Sequence, residues 1–177
     1  MKMEVIKEAG YEEAKLGMSL SFNSSLDKMD KVCSKLAKRN GGHNKFLESI
    51  CVWLDITAPR YWWQQFDSYR IGVTKQSEST MHTIMKKPFT IDDFESRLVD
   101  YFVIERLNQL IEDGEFDIVK AMLPESFLQR RIVCTNYKTL YTMYRQRRTH
   151  KLSEWTRFCR FLELGLKLWE ELFDEWK

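Results

Sequence analysis

Three separated segments of the sequence carry side chains that suit an anionic ligand with an aromatic ring. In the first, residues 42–48, a glycine is followed by His43 and Glu48. Glycine permits tight backbone geometry beside a ligand. A histidine can stack on a ring or hydrogen-bond to a phosphate, and a glutamate can order a base or a water. The alternative interpretation of these residues is a helix C-terminus followed by a surface turn.

The second segment covers residues 64–70 and continues through residues 72–82. Arg70 and Lys75 stand there among many hydroxyl and amide groups. Such a mixture suits neutral and anionic oxygen acceptors together, as a nucleotide presents them. The segment is therefore either a loop that contacts a ligand or a polar surface loop.

The third segment ends in the densest basic cluster of the chain, residues 145–151, which holds three Arg, one Lys and one His. On a helix, the spacings of four and three residues place Lys138, Thr142 and Arg145 on one side. This arrangement predicts phosphate binding, and its alternative is a solvated basic face.

Taken in order, these segments resemble the flavin-dependent thymidylate synthases. Residues 42–48 match the family's Gly-His segment, and residues 64–70 match the start of its Arg-Gln-x-x-Arg-His-Arg motif. Residues 119–124 match Ala-Arg-x-x-Leu-Pro, and residues 136–140 match Asn-x-Arg-Ser-Leu. The resemblance covers nearly the whole chain in the family's order.

The resemblance implies an α/β (α+β) fold, rich in helix, with a small antiparallel sheet wrapped by helices in one domain over residues 1–177. It also implies a homotetramer with FAD and dUMP held between subunits. The expected activity transfers a one-carbon unit from methylenetetrahydrofolate to a pyrimidine deoxynucleotide, with NADPH as a further co-substrate and without a cysteine nucleophile.

The resemblance also assigns roles to particular residues. Glu48 and Arg147 are the expected catalytic residues. The expected FAD ligands are His43, Arg70, Asn136, Lys138 and Lys151. The expected nucleotide ligands are Gln65, Ser79, Lys120 and Arg147.

Several positions depart from the family pattern. Ser68 and Tyr69 replace an Arg-His pair, and Met81 falls on a family arginine. Lys120 and Lys138 replace arginines, which keeps the charge but loses the planar guanidinium fork. The sequence therefore leaves a second function open, a catalytically silent nucleotide-binding or protein-interaction module on the same scaffold.

A third function is a single-stranded nucleic-acid binder that stacks bases on Trp62, Trp63 and Tyr69 beside the basic cluster. The alternative role of the tryptophan pair is core packing. The formal net charge is +2, from 28 basic and 26 acidic side chains, and this near-balance argues against nucleic acid as the partner.

Composition sets the remaining expectations. A length of 177 residues with 44% hydrophobic side chains is typical of one globular domain. The N-terminus has no apolar run and no stretch suits a membrane span, which favours a cytoplasmic protein. The four cysteines lie far apart, so we expect reduced, buried thiols and no metal site.

Side-chain patterns predict the elements that position these segments. We expect strands at residues 3–6, 50–56 and 127–135, the last with a helix as its alternative. We expect helices at residues 10–20, 25–39, 60–69, 90–112, 115–122, 136–147 and 152–176, the last as one helix or two. Ser24 or Ser25 is the expected cap of the second helix, Gly41 and Gly42 its end, and residues 70–82 an irregular loop.

Overall fold

The computed structural model describes residues 1–39, 41–95 and 98–173. The chain groups into two compact units, each built from separated segments. Unit 1 comprises Met1–Lys2, Asp55–Tyr69 and Lys75–Ile132, and unit 2 comprises Met3–Leu54, Arg70–Thr74 and Val133–Lys177. The expectation of one domain over residues 1–177 stays a prediction.

Four strands form one antiparallel sheet in the order β1-β2-β4-β3. Their bounds are β1 Lys2–Ala9, β2 Cys51–Pro59, β3 Thr74–Ser77 and β4 Leu128–Asn136. The predicted small antiparallel sheet is confirmed, and the interpretation of residues 127–135 as strand rather than helix is correct. Both β2 and β4 contribute residues to each unit.

Helices make up more of the described chain than strands do, as the sequence predicted. Their bounds are α1 Tyr11–Phe22, α2 Met29–Ala37, α3 Arg60–Phe66, α4 Thr80–Thr83, α5 Tyr101–Glu112, α6 Phe116–Met122, α7 Tyr137–Arg147, α8 Ser153–Gly165 and α9 Trp169–Phe173. None of the described helices is long and apolar enough to cross a membrane.

Both predicted ends of the second helix need correction. The helix expected at residues 25–39 begins with a 3-10 turn at Leu26–Lys28, and Ser25 precedes that turn without a side-chain cap. Its α-helical part ends at Ala37, whose carbonyl accepts a hydrogen bond of 3.2 Å from the Asn44 amide. The expected end at Gly41 and Gly42 is therefore too late, and the Asn44 side chain satisfies one of the last carbonyl groups of the helix.

Two further expectations need correction. The loop expected at residues 70–82 contains β3 and α4. The helix expected at residues 90–112 is replaced at its start by a 3-10 turn with a capping box between Thr90 and Asp93, and α5 follows only at Tyr101. Between them Phe94 forms a β-bridge with Phe127, which interrupts the helix; residues 96 and 97 lie outside the described chain.

Unit 1 is held together by aromatic and aliphatic side chains from its helices. Phe89, Phe94 and Phe127 contact one another edge to face, with ring centroids 5.6 to 5.9 Å apart. Ile104, Leu107 and Leu110 of α5 are buried in the same cluster. Their three-residue spacing is that of a helix with one apolar face, so α5 is stabilised mainly by this packing.

The core of unit 2 fixes α7. Tyr137, Leu140 and Met143 are buried at three-residue spacing, so they form the inner face of the helix. The Tyr137 amide donates to the Ile50 carbonyl at 3.1 Å, and its hydroxyl bonds the Glu8 carboxylate. The first turn of α7 therefore has a defined position, and its outer face is free to carry polar side chains.

The cysteines follow the expectation in part. Cys33 and Cys159 are buried, and burial raises the pKa of each thiol to about 11. Cys51 is exposed and Cys134 is half-buried, so the expectation that all four are buried is wrong. Both lie on strands, Cys51 on β2 and Cys134 on β4, where alternate side chains point away from a core.

Candidate functional site

The candidate site in unit 2 is built around the first turn of α7. Asn136 is the N-cap, and its side chain accepts a hydrogen bond of 2.9 Å from the Thr139 amide. Gly72 packs against this cap with φ +71°, and a Cβ there would meet the Thr139 hydroxyl at 2.5 Å. The Thr135 hydroxyl donates to the Gly72 carbonyl at 2.8 Å. The segment that follows Arg70 is therefore fixed to the start of α7.

A cleft of about 390 Å³ lies along the outer face of α7, and we call it the α7 pocket. Its lining residues are Gly41, Gly42, Asn44, Lys138, Tyr141, Thr142, Arg145 and Gln146. The side chains of α7 recur there at helical spacing, which confirms the predicted common face of Lys138, Thr142 and Arg145. Gly42 and Asn44 of the first predicted segment also line this pocket, next to α7, which belongs to the third predicted segment.

The two predicted site residues Glu48 and Lys138 form an ion pair, with the Lys138 ammonium donating to the Glu48 carboxylate. The side chains are 56% and 33% exposed, so water screens this pair. The pairing places Glu48 beside the α7 pocket.

Arg145 lies two helical turns beyond Lys138 on the same face of α7. Its guanidinium carbon is 5.9 Å from the centre of the Tyr141 ring. That ring in turn stacks on Phe173, with centroids 4.1 Å apart and planes 5° from parallel. The aromatic pair gives one wall of the pocket a defined orientation.

The donor set of the α7 pocket matches a phosphate group. Lys138 and Arg145 carry positive charge, Gln146 offers amide N–H donors, and none of the described lining residues is Asp or Glu. The volume falls at the low end of pockets that hold a small molecule. The residues therefore fit the phosphate-bearing part of a nucleotide cofactor such as FAD.

Arg147 does not line the α7 pocket. Nine residues separate it from Lys138, and at about 100° per residue this puts the two side chains on opposite faces of α7. Its guanidinium carbon lies 4.9 Å from the centre of the Trp155 ring, on the side of α8. The structure thus separates two residues that the sequence assigned to neighbouring ligands.

The other predicted FAD ligands of unit 2 lie on its surface. His43 is exposed in the turn that leads into the 3-10 segment Lys45–Glu48, and Arg70 is exposed beside the Gly72 segment. Lys151 is exposed beyond the end of α7. Next to it, the His150 ring accepts a hydrogen bond of 3.1 Å from the Leu152 amide. None of these three predicted ligands lines the α7 pocket, so their roles stay predictions.

The predicted nucleotide ligands of unit 1 lie on or directly before three helices. Ser79 is the N-cap residue of α4, and the Lys120 ammonium on α6 bonds the hydroxyl of Thr80, the next residue. The structure therefore brings Ser79 and Lys120 close together. Gln65 is half-buried on α3, where its carbonyl accepts a hydrogen bond from Ser68.

The residues that depart from the family pattern have local structural contacts. The Ser68 hydroxyl donates to the Gln65 carbonyl at 2.7 Å, and the Tyr69 ring lies 6.4 Å from that of Phe66.

Trp62 and Trp63 are almost fully buried, which confirms core packing for that pair. Buried rings cannot stack on bases, so the expectation that Trp62 and Trp63 form a stacking platform for nucleic acid is wrong.

Sequence reasoning missed one cation cluster in unit 1. Asp67 accepts from Lys75 at 2.7 Å and from Arg131 at 2.9 Å, and the Arg131 guanidinium lies 4.4 Å from the Trp63 ring centre. Asp67 and Arg131 are 64 positions apart, and their partnership depends on the pairing of strands. The alternation of side chains along β4 could have indicated this contact, because it places Arg131 on the same face as the inward residues Val133 and Thr135.

Comparison with known proteins identifies the fold as that of the flavin-dependent thymidylate synthases. A structure of the enzyme ThyX from Helicobacter pylori, described as complexed with FAD and dUMP, has a TM-score of 0.83 at 17% identity and covers 98% of both chains. A second structure of ThyX from Helicobacter pylori, also with FAD and dUMP, has a TM-score of 0.80 at 18% identity and covers 94% of this chain and 93% of that one. No protein-family model matches the sequence, and no curated protein matches it.

Proposed function

We propose that this protein binds FAD and a pyrimidine deoxynucleotide and acts as a flavin-dependent thymidylate synthase-like enzyme. The expected reaction transfers a one-carbon unit from methylenetetrahydrofolate to dUMP or a related nucleotide, with NADPH as a further co-substrate. The α7 pocket supports this proposal most. Two segments that the sequence predicts to contact an anionic ligand meet in that pocket. They meet on a fold that this chain shares with two ThyX structures described with FAD and dUMP.

Residues of the α7 pocket would hold the phosphate-bearing part of FAD. Bound FAD would supply the reducing chemistry of the one-carbon transfer, while the protein binds and orients. Lys138 and Arg145 provide positive charge, and the Gly41 and Gly42 turn leaves its backbone accessible. Glu48, beside Lys138, would order the ring or a water next to it.

The positions of Lys138 and Arg147 support an assembly of several copies. Because the two side chains lie on opposite faces of α7, one helix cannot direct both into one cleft. A site that uses both needs α7 from a second copy of the chain. This agrees with the homotetramer expected from the sequence, in which ligands lie between subunits.

The experiment that tests the proposal starts with the purified protein. We expect the protein to show flavin absorbance as isolated or after addition of FAD. We also expect it to form dTMP from dUMP when methylenetetrahydrofolate and NADPH are present. A protein that neither contains nor binds FAD would refute the proposal.

A catalytically silent nucleotide-binding module is the second candidate function. It is favoured by the contacts of Ser68 and Tyr69, which serve the end of α3 where an Arg-His pair would carry ionisable groups. Thermal shift measurements with FAD, dUMP and dCMP discriminate between the two. Stabilisation by a nucleotide alone, with no effect of FAD and no turnover, would favour the silent module.

A further inference from the structure

Helix α1 of unit 2 has an inverted distribution of polar and apolar side chains. Its inner face buries Lys15 and Ser19. On its outer face Leu16 and Leu20 are 53% and 77% exposed. Lysine is rarely buried unless it is paired, and leucine is normally among the most buried residues. An element that departs from this rule is expected to serve a function beyond its own packing.

Ion pairs hold α1 in this orientation against α2. The Lys15 ammonium lies 2.9 Å from the Asp30 carboxylate of α2 and 3.0 Å from the Glu12 carboxylate of its own helix. Because the buried ammonium is paired, α1 can keep its polar face inside and its leucines outside. The same contact engages Asp30, an acidic residue of α2, with α1.

The turn between α1 and α2 continues the apolar surface, and we call residues 20–28 the α1–α2 corner. The chain reverses at Asn23, which has a left-handed backbone with φ 44°. The 3-10 turn Leu26–Lys28 then leads directly into α2. Phe22 and Leu26 are both exposed there, close in sequence to Leu20. Exposed apolar side chains that cluster in this way indicate a contact surface.

The outer face of α2 carries a basic stripe that begins at the corner. Exposed cations recur from the N-cap of α2 to just beyond its end, at spacings of three and four residues: Lys28, Lys31, Lys35 and Arg39. At about 100° per residue they fall opposite the buried side chains Met29, Cys33 and Ala37. Asp27 at the corner offsets at most one of these charges. The stripe therefore presents a net positive charge over about 16 Å.

We propose that the α1–α2 corner and the basic stripe form a docking surface for an anionic lipid bilayer. Leu20, Phe22 and Leu26 enter the boundary between head groups and acyl chains, and the stripe lies against the acidic head groups. The lysine stems cover apolar surface while their ammonium groups stay among the head groups. The proposal concerns attachment to a bilayer surface and is independent of the proposed function.

The combination of charge and exposed apolar side chains favours a bilayer over other anionic partners. A nucleic acid complements the stripe through its phosphates, but its phosphate backbone offers no apolar contact for the leucines of the corner. An anionic bilayer complements both features at once, since it has an acidic surface above an apolar interior.

Cosedimentation with lipid vesicles tests the proposal. The vesicles contain phosphatidylcholine alone or phosphatidylcholine with phosphatidylglycerol, which is anionic, and each set is measured at low and at high salt. One variant removes charge from the stripe, and it combines Lys28→Gln, Lys31→Gln and Lys35→Gln. A second variant removes apolar surface from the corner, and it combines Leu20→Ser and Leu26→Ser.

A matched control removes the same number of exposed cations from other parts of unit 2. It combines Lys7→Gln, Arg160→Gln and Lys167→Gln. The overall charge of this control equals that of the stripe variant, so a difference between the two reports the position of the charges. Circular dichroism of each variant confirms that it is folded.

We expect wild type to bind the anionic vesicles at low salt and to bind the neutral vesicles far less. The stripe variant should partition at least about tenfold less onto anionic vesicles, because each cation near an acidic surface adds to the attraction. The corner variant should lose binding severalfold, because less apolar surface is buried. The control should bind as wild type does, and high salt should weaken binding of wild type.

Three results would overturn the proposal. The first is a wild type that does not bind anionic vesicles, whether or not it binds an oligonucleotide. The second is an equal loss in the control and the stripe variant, which would reflect overall charge alone. The third is a corner variant that binds as wild type does, which would show that the leucines do not enter the bilayer.

Discussion

Asp67 accepts hydrogen bonds from two cationic side chains, Lys75 on β3 and Arg131 on β4. Partial burial acts to raise the pKa of Asp67, but the hydrogen bonds from Lys75 and Arg131 outweigh it, and the pKa falls below its ordinary value. A lowered pKa in the folded state means that the carboxylate stabilises the fold above the unfolded pKa of about 4. This contribution is lost as the pH falls through the folded-state pKa.

We therefore predict that Asp67→Asn lowers the free energy of unfolding by about 1 to 2 kcal/mol at pH 7. The value allows for the partial exposure of the side chain. Urea denaturation at pH 7 and at pH 3 measures the effect, and the difference from wild type should shrink at pH 3. Asp92→Asn, on an exposed turn, is the control. A difference that is the same at both pH values would contradict the account.

At the scale of elements, the start of α7 depends on a close approach by Gly72. A side chain there would need a left-handed backbone and would also press on Thr139 and Asn136. Gly114 has a similar φ, +76°, but open space around it. Substitutions at the two positions therefore distinguish the effect of backbone strain, which both share, from that of steric overlap, which only Gly72 has.

We predict that Gly72→Ala destabilises the protein by at least about 1 kcal/mol more than Gly114→Ala does. Both variants incur backbone strain, and Gly72→Ala adds the overlap with the α7 cap. Chemical denaturation of both variants measures the difference. Equal losses of stability in the two variants would contradict this prediction, because they would show that the segment around Gly72 shifts without disturbing α7.

The sequence predicted the elements that carry a local pattern and missed those that depend on distant partners. The common face of Lys138, Thr142 and Arg145 followed from helical periodicity and is confirmed. Strand β3, Thr-Lys-Gln-Ser, has no apolar alternation and exists because it pairs with β4. The meeting of Asn44 with α7 is likewise a long-range contact that periodicity cannot specify.

The sequence specifies the fold better than it specifies the roles of individual residues. Matching motifs indicated that Lys138 and Arg147 serve neighbouring ligands, but motif order carries no information on which face of α7 each occupies. The ion pair between Glu48 and Lys138 joins positions 90 residues apart. Both facts come from tertiary packing, and both change how the site is expected to work.

At the scale of the whole molecule, the account depends on a site shared between copies. Arg145 lines the α7 pocket, whereas Arg147 is turned towards Trp155. If the phosphate of FAD meets Arg145 of one copy and the nucleotide meets Arg147 of another, each complete site needs two chains. Substitutions of the two residues on different copies should then complement each other.

The most direct measurement uses hybrid oligomers of Arg145→Gln and Arg147→Gln, co-expressed with different affinity tags and purified through both. Calorimetric titration with dUMP in the presence of FAD counts the intact sites. Each single variant alone should show few intact sites, and random mixing should restore about a quarter of the wild-type number. A hybrid with no more sites than the single variants, beside a wild type that binds both ligands, would contradict a site built from two copies of this chain.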